Sequence, residues 1–138
     1  MKDNSTPEGT NIKRRALGIA GAIAPILLAI ACIFCPTPFS LHFQQIGLIL
    51  VRIALALACL NFWLSFVRPL LLRLLRVQRP KHVSGFPLIG TVLQIIGVIF
   101  GFGNVQVGVT GLLAAIMDTG GQPWFVIFTW KDKSLWDR

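Results

Sequence analysis

The chain has 138 residues, of which 54% are hydrophobic and 13% are charged, and its mean hydropathy is +0.72. These values exclude an ordinary soluble globular protein and predict a single integral membrane domain. The net charge is +8, but the basic residues lie between apolar stretches, where membrane topology accounts for them, so no nucleic-acid partner is expected.

The first predicted membrane span covers residues 16–35, which are uncharged and almost wholly apolar. Residues 1–15 precede it as a polar segment with a basic end, which predicts a disordered cytoplasmic tail. Pro25 should kink the span because it lacks a backbone N–H. A signal peptide also begins with basic and then apolar residues, but this apolar run exceeds the usual length of about 7 to 15 residues, which favours an uncleaved span.

The second predicted span covers residues 46–67, after a loop that contains no lysine or arginine. Arg52 is the charged residue within this span. It lies near the predicted outer edge, where a long side chain can reach the membrane surface, so an outward anchor is favoured over a salt bridge to Asp118.

The loop after the second span has the densest positive charge in the chain. Between Pro69 and Pro80, arginines are spaced by three residues, which predicts an amphipathic helix in the membrane interface. We expect the basic side chains to contact anionic headgroups of the cytoplasmic leaflet. These side chains are Arg68, Arg73, Arg76, Arg79 and Lys81.

Residues 86–102 and 105–130 are the third and fourth predicted spans. The fourth consists of two apolar pieces that are each too short to cross a bilayer, and Gly120, Gly121 and Pro123 between them predict a break in the helix. Residues 131–138 form a basic tail. The basic residues outside the spans all lie in the two tails and the central loop, which predicts that both termini are cytoplasmic. The sequence therefore predicts an all-α, four-helix transmembrane bundle with a broken fourth helix.

Asp118 is the only acidic residue within a predicted span. A carboxylate in the middle of a membrane helix costs roughly 2.5 to 3.5 kcal/mol, so its presence indicates a functional site. Counting about 1.5 Å per residue from the ends of the spans places Asp118, Gln94 and Asn61 at a similar depth. We therefore predict a polar cluster of these three residues with Thr119 and, as a further candidate, Thr91. The cluster could fasten helices together or bind a proton or cation.

Cys32 and Cys35 have the spacing of a redox or metal-binding motif, but they end a membrane helix. Cys59 should lie deep in the bilayer, away from them, so no metal or other cofactor is expected. Gly97 and Gly101 form a G-x-x-x-G motif, which favours close helix packing within the monomer over dimerisation.

Two segments resemble a pattern found in small, uncharacterised bacterial inner-membrane proteins. They are residues 80–90, PKHVSGFPLIG, and residues 118–125, DTGGQPWF. The resemblance covers the second half of the chain. It implies a multi-pass protein of the bacterial inner (cytoplasmic) membrane and no particular activity.

The sequence contains no serine–histidine–acid triad, no phosphate-binding loop and no pair of carboxylates at a spacing suited to catalysis, so an enzyme is not expected. The leading hypothesis is a small inner-membrane protein that acts through helix–helix or protein contacts, as an accessory subunit or an immunity- or inhibitor-type protein. Its partner would be another membrane protein or a second copy of itself. The alternative is an oligomeric small transporter or channel that uses Asp118 as a proton or cation site. The chain resembles small multidrug transporters in size and number of spans only. Those transporters carry their acidic residue in the first span, where this chain has none.

Overall fold

The computed structural model describes residues 12–36, 38–75 and 88–132. These residues are 83% helical and contain no strand, which confirms the all-α prediction. They form five helices, numbered in chain order. The helices are α1 (Ile12–Phe34), α2 (Leu41–Leu74), α3 (Ile89–Phe100), α4 (Val105–Met117) and α5 (Gln122–Thr129).

Two of these helices, α1 with 23 residues and α2 with 34, are long and apolar enough to cross a membrane. α3 and α4 have 12 and 13 residues, fewer than the roughly 20 that a single crossing needs. α1 begins at Ile12, so residues 12–15 belong to a helix and not to the predicted tail. Residues 1–11 lie outside the described part of the chain.

α2 extends beyond the predicted span at both ends and continues through Pro69, where a separate interfacial helix was expected to begin. A π-helical turn at Trp63–Val67 accounts for this continuity. Its wider hydrogen-bonding register places Pro69 in the first turn of the helical segment that follows, where a missing N–H is tolerated. Residues 76–79 of the predicted interfacial helix lie outside the described residues.

The interior of the bundle is built mainly from small side chains. α2 packs against α3 and α4, and α1 packs against α4 and α5. One buried cluster lies where α1, α2, α3 and α4 meet, and a second consists of three alanines on α2 and α4. These small residues let the helix backbones approach closely. The first cluster contains Ala29, Cys32, Val51, Val98 and Val107, and the second contains Ala54, Ala58 and Ala114.

The G-x-x-x-G motif of α3 packs against α2 of the same chain. A Cβ atom added to Gly47 of α2 would lie 2.6 Å from the carbonyl oxygen of Gly97, and one added to Gly97 would lie 2.8 Å from Cγ1 of Val51. The two backbones are therefore in direct contact. This contact accounts for the motif without a second copy of the chain.

The connections between helices define two ends of the bundle. At the turn end, formed by residues 35–36, 38–41 and 101–104, Asn104 donates a 3.1 Å hydrogen bond to Oε1 of Gln44 at the start of α2. At the opposite end, the guanidinium of Arg15 lies 5.2 Å from the ring centre of Trp130. This basic end contains the start of α1, the last turns of α2 and the end of α5, and its described cationic residues are Lys13, Arg14, Arg15, Arg68, Arg73 and Lys131.

Candidate functional site

The structure breaks the predicted fourth span between Met117, the last residue of α4, and Gln122, the first of α5. Asp118 is the C-capping residue that follows α4, and its backbone N–H still donates to the carbonyl of Ala114 at 2.9 Å. Pro123 lies in the first turn of α5, as its sequence position predicts. Gly103 is the only described glycine with a positive φ, so Gly120 and Gly121 do not use the left-handed conformations that glycine alone adopts readily.

The Asp118 carboxylate lies inside the bundle, with 2% of the residue exposed. Its Oδ1 accepts a 2.7 Å hydrogen bond from Nδ2 of Asn61 on α2 and a 3.3 Å bond from the backbone N–H of Gly120. Its Oδ2 accepts a 3.3 Å bond from the hydroxyl of Thr91 on α3. One carboxylate therefore joins α2, α3 and the helix break.

The break supplies one of these donors. In a continuous helix the N–H of Gly120 would bond to the carbonyl of Ile116, four residues earlier. Here it is directed to Asp118 instead, and the carbonyl of Ile116 accepts a 2.9 Å hydrogen bond from the indole Nε1 of Trp124. The donor and the acceptor of this lost backbone hydrogen bond are thus both bonded to side chains.

Two glycines leave room for the carboxylate. A Cβ atom on Gly90 of α3 would lie 2.7 Å from Oδ2 of Asp118. A Cβ atom on Gly121 would lie 3.1 Å from the same oxygen and 2.9 Å from Oγ1 of Thr91. The role of Gly121 is therefore steric. Gly90 was not among the predicted site residues, because its only signal in the sequence is its position next to Thr91 at the start of the third apolar stretch.

Among the described residues, the Asp118 carboxylate has no cationic partner. Its three hydrogen-bond donors are neutral and are the Asn61 amide, the Thr91 hydroxyl and the backbone N–H of Gly120. Gly90 and Thr91 belong to the first turn of α3, and a helix N-terminus stabilises a nearby anion by about 0.3 to 2 kcal/mol. Arg52 is exposed and lies about 13 Å along α2 from Asn61, so it does not join the site.

The other predicted members of the polar cluster lie nearby but have different partners. Gln94 is buried one turn further along α3, and its Nε2 donates a 3.1 Å hydrogen bond to the carbonyl of Pro25 on α1. Its Oε1 has no partner among the described residues, which costs about 1 to 3 kcal/mol for a buried group. Thr119 does not cap α5, because its hydroxyl donates to Oγ of Ser65 at 3.0 Å.

The π-helical turn of α2 lies directly against the helix break. Ser65, which accepts from Thr119, belongs to this turn. The ring of Phe66 meets the indole of Trp124 edge to face at 5.7 Å, and that indole stacks on Phe128 at the same distance. The two irregular helical segments are therefore joined by one polar and one aromatic contact.

The remaining candidate residues lie apart from the carboxylate. Cys32 is buried at the turn end, with Sγ 3.5 Å from the carbonyl oxygens of Gly101 and Asn104, while Cys35 is exposed. Within the described ranges, no group of three or more histidine, cysteine or acidic residues is placed to hold a metal ion. Of the predicted lipid contacts, Arg68 is half-buried and Arg73 is exposed at the basic end, and Arg76, Arg79 and Lys81 lie outside the described residues.

No protein-family model, curated protein or solved structure matches this chain. The chemistry of the site is therefore inferred from the geometry of its own side chains.

We expect Asn61 and Asp118 to be energetically coupled, because truncation of either leaves the other buried without its shortest hydrogen bond. In a double-mutant cycle, Asn61→Ala and Asp118→Ala should each destabilise the protein, and their coupling energy should be about 1 to 2 kcal/mol. Unfolding in detergent, followed by circular dichroism, measures these values. A coupling energy near zero would show that this bond does not hold the break.

The cost of Gly90→Ala should depend on residue 118, because the new methyl group would overlap Oδ2 of Asp118. We expect this substitution to destabilise the wild-type protein by about 1 to 3 kcal/mol, as overpacking does. In an Asp118→Ala background the carboxylate is absent, and the cost should fall by about 1 kcal/mol or more. Equal costs in both backgrounds would mean that Gly90 is needed for another reason.

Proposed function

We propose that this chain is a small multi-pass protein of a bacterial inner membrane that acts through contacts with other membrane proteins. In this proposal the bundle crosses the bilayer four times, with the broken α4–α5 segment as its last crossing and both termini in the cytoplasm. Its role would be that of an accessory subunit or of an immunity- or inhibitor-type protein, and not that of an enzyme.

The distribution of charge and the positions of the chain ends support this topology. The described lysines and arginines, except Arg52, lie at the basic end, which would face the cytoplasm. The segments at the turn end, residues 35–41 and 101–104, contain neither residue type. The contact between Arg15 and Trp130 places the start of α1 and the end of α5 together, as an even number of crossings requires.

The hydrogen bonding of Asp118 is the observation that carries the proposed role. Both carboxylate oxygens already accept bonds from donors of the same chain, and the residue is almost wholly buried. The one acid in the apolar part of the chain therefore serves as a fastening between helices. The outward-facing apolar side chains of the bundle are then the surface available to lipids and partner helices, and they include Leu17, Ile53, Leu113, Ile116 and Phe125.

The proposed topology predicts which cysteines react from outside the cell. Cys35 is exposed at the turn end and should react with a membrane-impermeant maleimide in intact cells. A cysteine at Lys131, in a chain whose native cysteines are replaced by serine, should react only after the inner membrane is permeabilised. Labelling of Lys131→Cys in intact cells would contradict the topology.

Asp118→Asn should distinguish a contact protein from a proton or cation carrier. Asparagine has nearly the same shape; its Oδ1 can accept from Asn61 and Gly120, and its amide can donate to Thr91 if that hydroxyl rotates. We therefore expect the variant to remain folded and to recover the same partner protein as the wild type after mild detergent extraction from the native host. Asp118→Ala is the destabilised control.

Two results would contradict the contact role. One is the absence of any co-purifying membrane protein with the tagged wild-type chain, together with no change in neighbouring complexes when the gene is deleted. The other is an Asp118→Asn variant that melts like the wild type but abolishes a pH-dependent solute flux, which would favour the transporter or channel alternative.

A further inference from the structure

A groove lies along one face of the C-terminal half of α2. Its volume is about 370 Å³, and the described residues that line it are Ser65, Phe66, Pro69, Leu70 and Arg73. Four of these residues, 66, 69, 70 and 73, stand at positions i, i+3, i+4 and i+7, which places them on the same side of a helix.

The groove lies at an irregular part of the α2 backbone. Pro69 and π-helical turns are two of the few features that bend helices sharply, and in α2 the turn at Trp63–Val67 comes directly before Pro69. The groove therefore coincides with a built irregularity of the helix.

The groove changes from cationic to apolar along its length. Arg73 is exposed and lies toward the basic end, about 10 Å along the helix from Phe66. The structure records no carboxylate within ion-pair distance of Arg73 in the part of the chain that it describes. Phe66, Pro69 and Leu70 form an apolar wall on the side of Arg73 that faces the middle of the bundle.

This order of polarity is the order found along a phospholipid. A guanidinium binds a phosphate through two parallel hydrogen bonds and remains charged at any physiological pH. With the phosphate at Arg73, an acyl chain would run along the apolar wall toward Phe66. The headgroup would then lie at the level of the other basic residues, where the cytoplasmic leaflet supplies anionic lipids.

We propose that this groove binds one anionic phospholipid of the cytoplasmic leaflet, with its phosphate on Arg73 and an acyl chain against Phe66, Pro69 and Leu70. This inference rests on the proposed insertion in the membrane. It goes beyond general attraction between a basic surface and an anionic leaflet, because it assigns one lipid to one arginine and to an apolar wall.

The groove adjoins the candidate functional site. Phe66 contacts Trp124, and Ser65 accepts the hydrogen bond from Thr119. A lipid bound here would contact the same π-helical turn that packs against the helix break. Bound lipid should therefore stabilise the same contact that holds α5 to α2.

Native mass spectrometry of the purified full-length chain, titrated with phosphatidylglycerol or phosphatidylcholine in detergent, tests the proposal. The wild type should bind one phosphatidylglycerol in preference to phosphatidylcholine. Arg73→Gln should weaken phosphatidylglycerol binding about tenfold, which corresponds to the loss of about 1.4 kcal/mol. Arg52→Gln is the matched control, because Arg52 is also an exposed arginine of α2 but lies outside the groove.

A second variant tests the apolar wall separately. Leu70→Trp should fill the groove and weaken lipid binding while Arg73 remains present. Glycerol 3-phosphate, which has the phosphate without acyl chains, should not displace the bound lipid. Unchanged binding by Arg73→Gln, or equal losses with Arg52→Gln, would overturn the proposal. Retained lipid in Leu70→Trp together with loss of a co-purified protein would assign the groove to a protein partner instead.

Flotation with vesicles of phosphatidylglycerol and phosphatidylethanolamine separates this proposal from the proposed function. A chain that floats after alkaline washing is integral to the membrane, and the absence of a specific lipid would then count against the groove alone. A chain that is released by the wash would contradict membrane insertion itself.

Discussion

The buried carboxylate of Asp118 is the constraint on which the basic half of the bundle depends. An ionisable group in an apolar interior is costly unless it is hydrogen-bonded, and here both carboxylate oxygens accept bonds, from α2, α3 and the chain segment between α4 and α5. The helix break is part of this arrangement, because it frees the N–H of Gly120 to donate to the carboxylate. The carbonyl released at Ile116 is bonded by Trp124, so the interruption of the helix leaves neither group without a partner.

The π-helical turn in α2 is best understood together with this break. It begins two residues after Asn61, which makes the shortest hydrogen bond to Asp118, and it contains both Ser65 and Phe66. These two residues contact Thr119 and Trp124, one on each side of the glycine pair. The π-helical turn thus contacts one side chain before the glycine pair and one after it. The two irregular segments therefore lie side by side, and each supplies contact partners for the other.

The sequence allowed correct prediction of the helical class. In the last apolar stretch, Gly-Gly-Gln-Pro carries strong local signals for an interruption, and the structure has Asp118–Gly121 between α4 and α5. The partners of Asp118 were harder to predict, because depth counting assumes straight helices whose ends are level. α2 begins at Leu41 and not at residue 46. Asp118 meets Thr91 in the first turn of α3, which begins at Ile89, and Gln94 lies one turn further along that helix. The continuity of α2 through Pro69 was also missed, because a π-helical turn depends on tertiary packing and has no clear sequence pattern.

The two ends of the bundle are held together by different kinds of contact. At the turn end, Gly47 and Gly97 bring two backbones into contact, and almost any added atom would force the helices apart. At the basic end, α2 meets α5 through aromatic rings and meets the helix break through hydroxyl groups, and arginines border the helices. Backbone contacts leave little freedom for rearrangement, whereas side chains can exchange one partner for another. Interactions with lipids or with other proteins are therefore expected to act mainly on the basic end, where the carboxylate of Asp118 keeps the broken helix in register with α2 and α3.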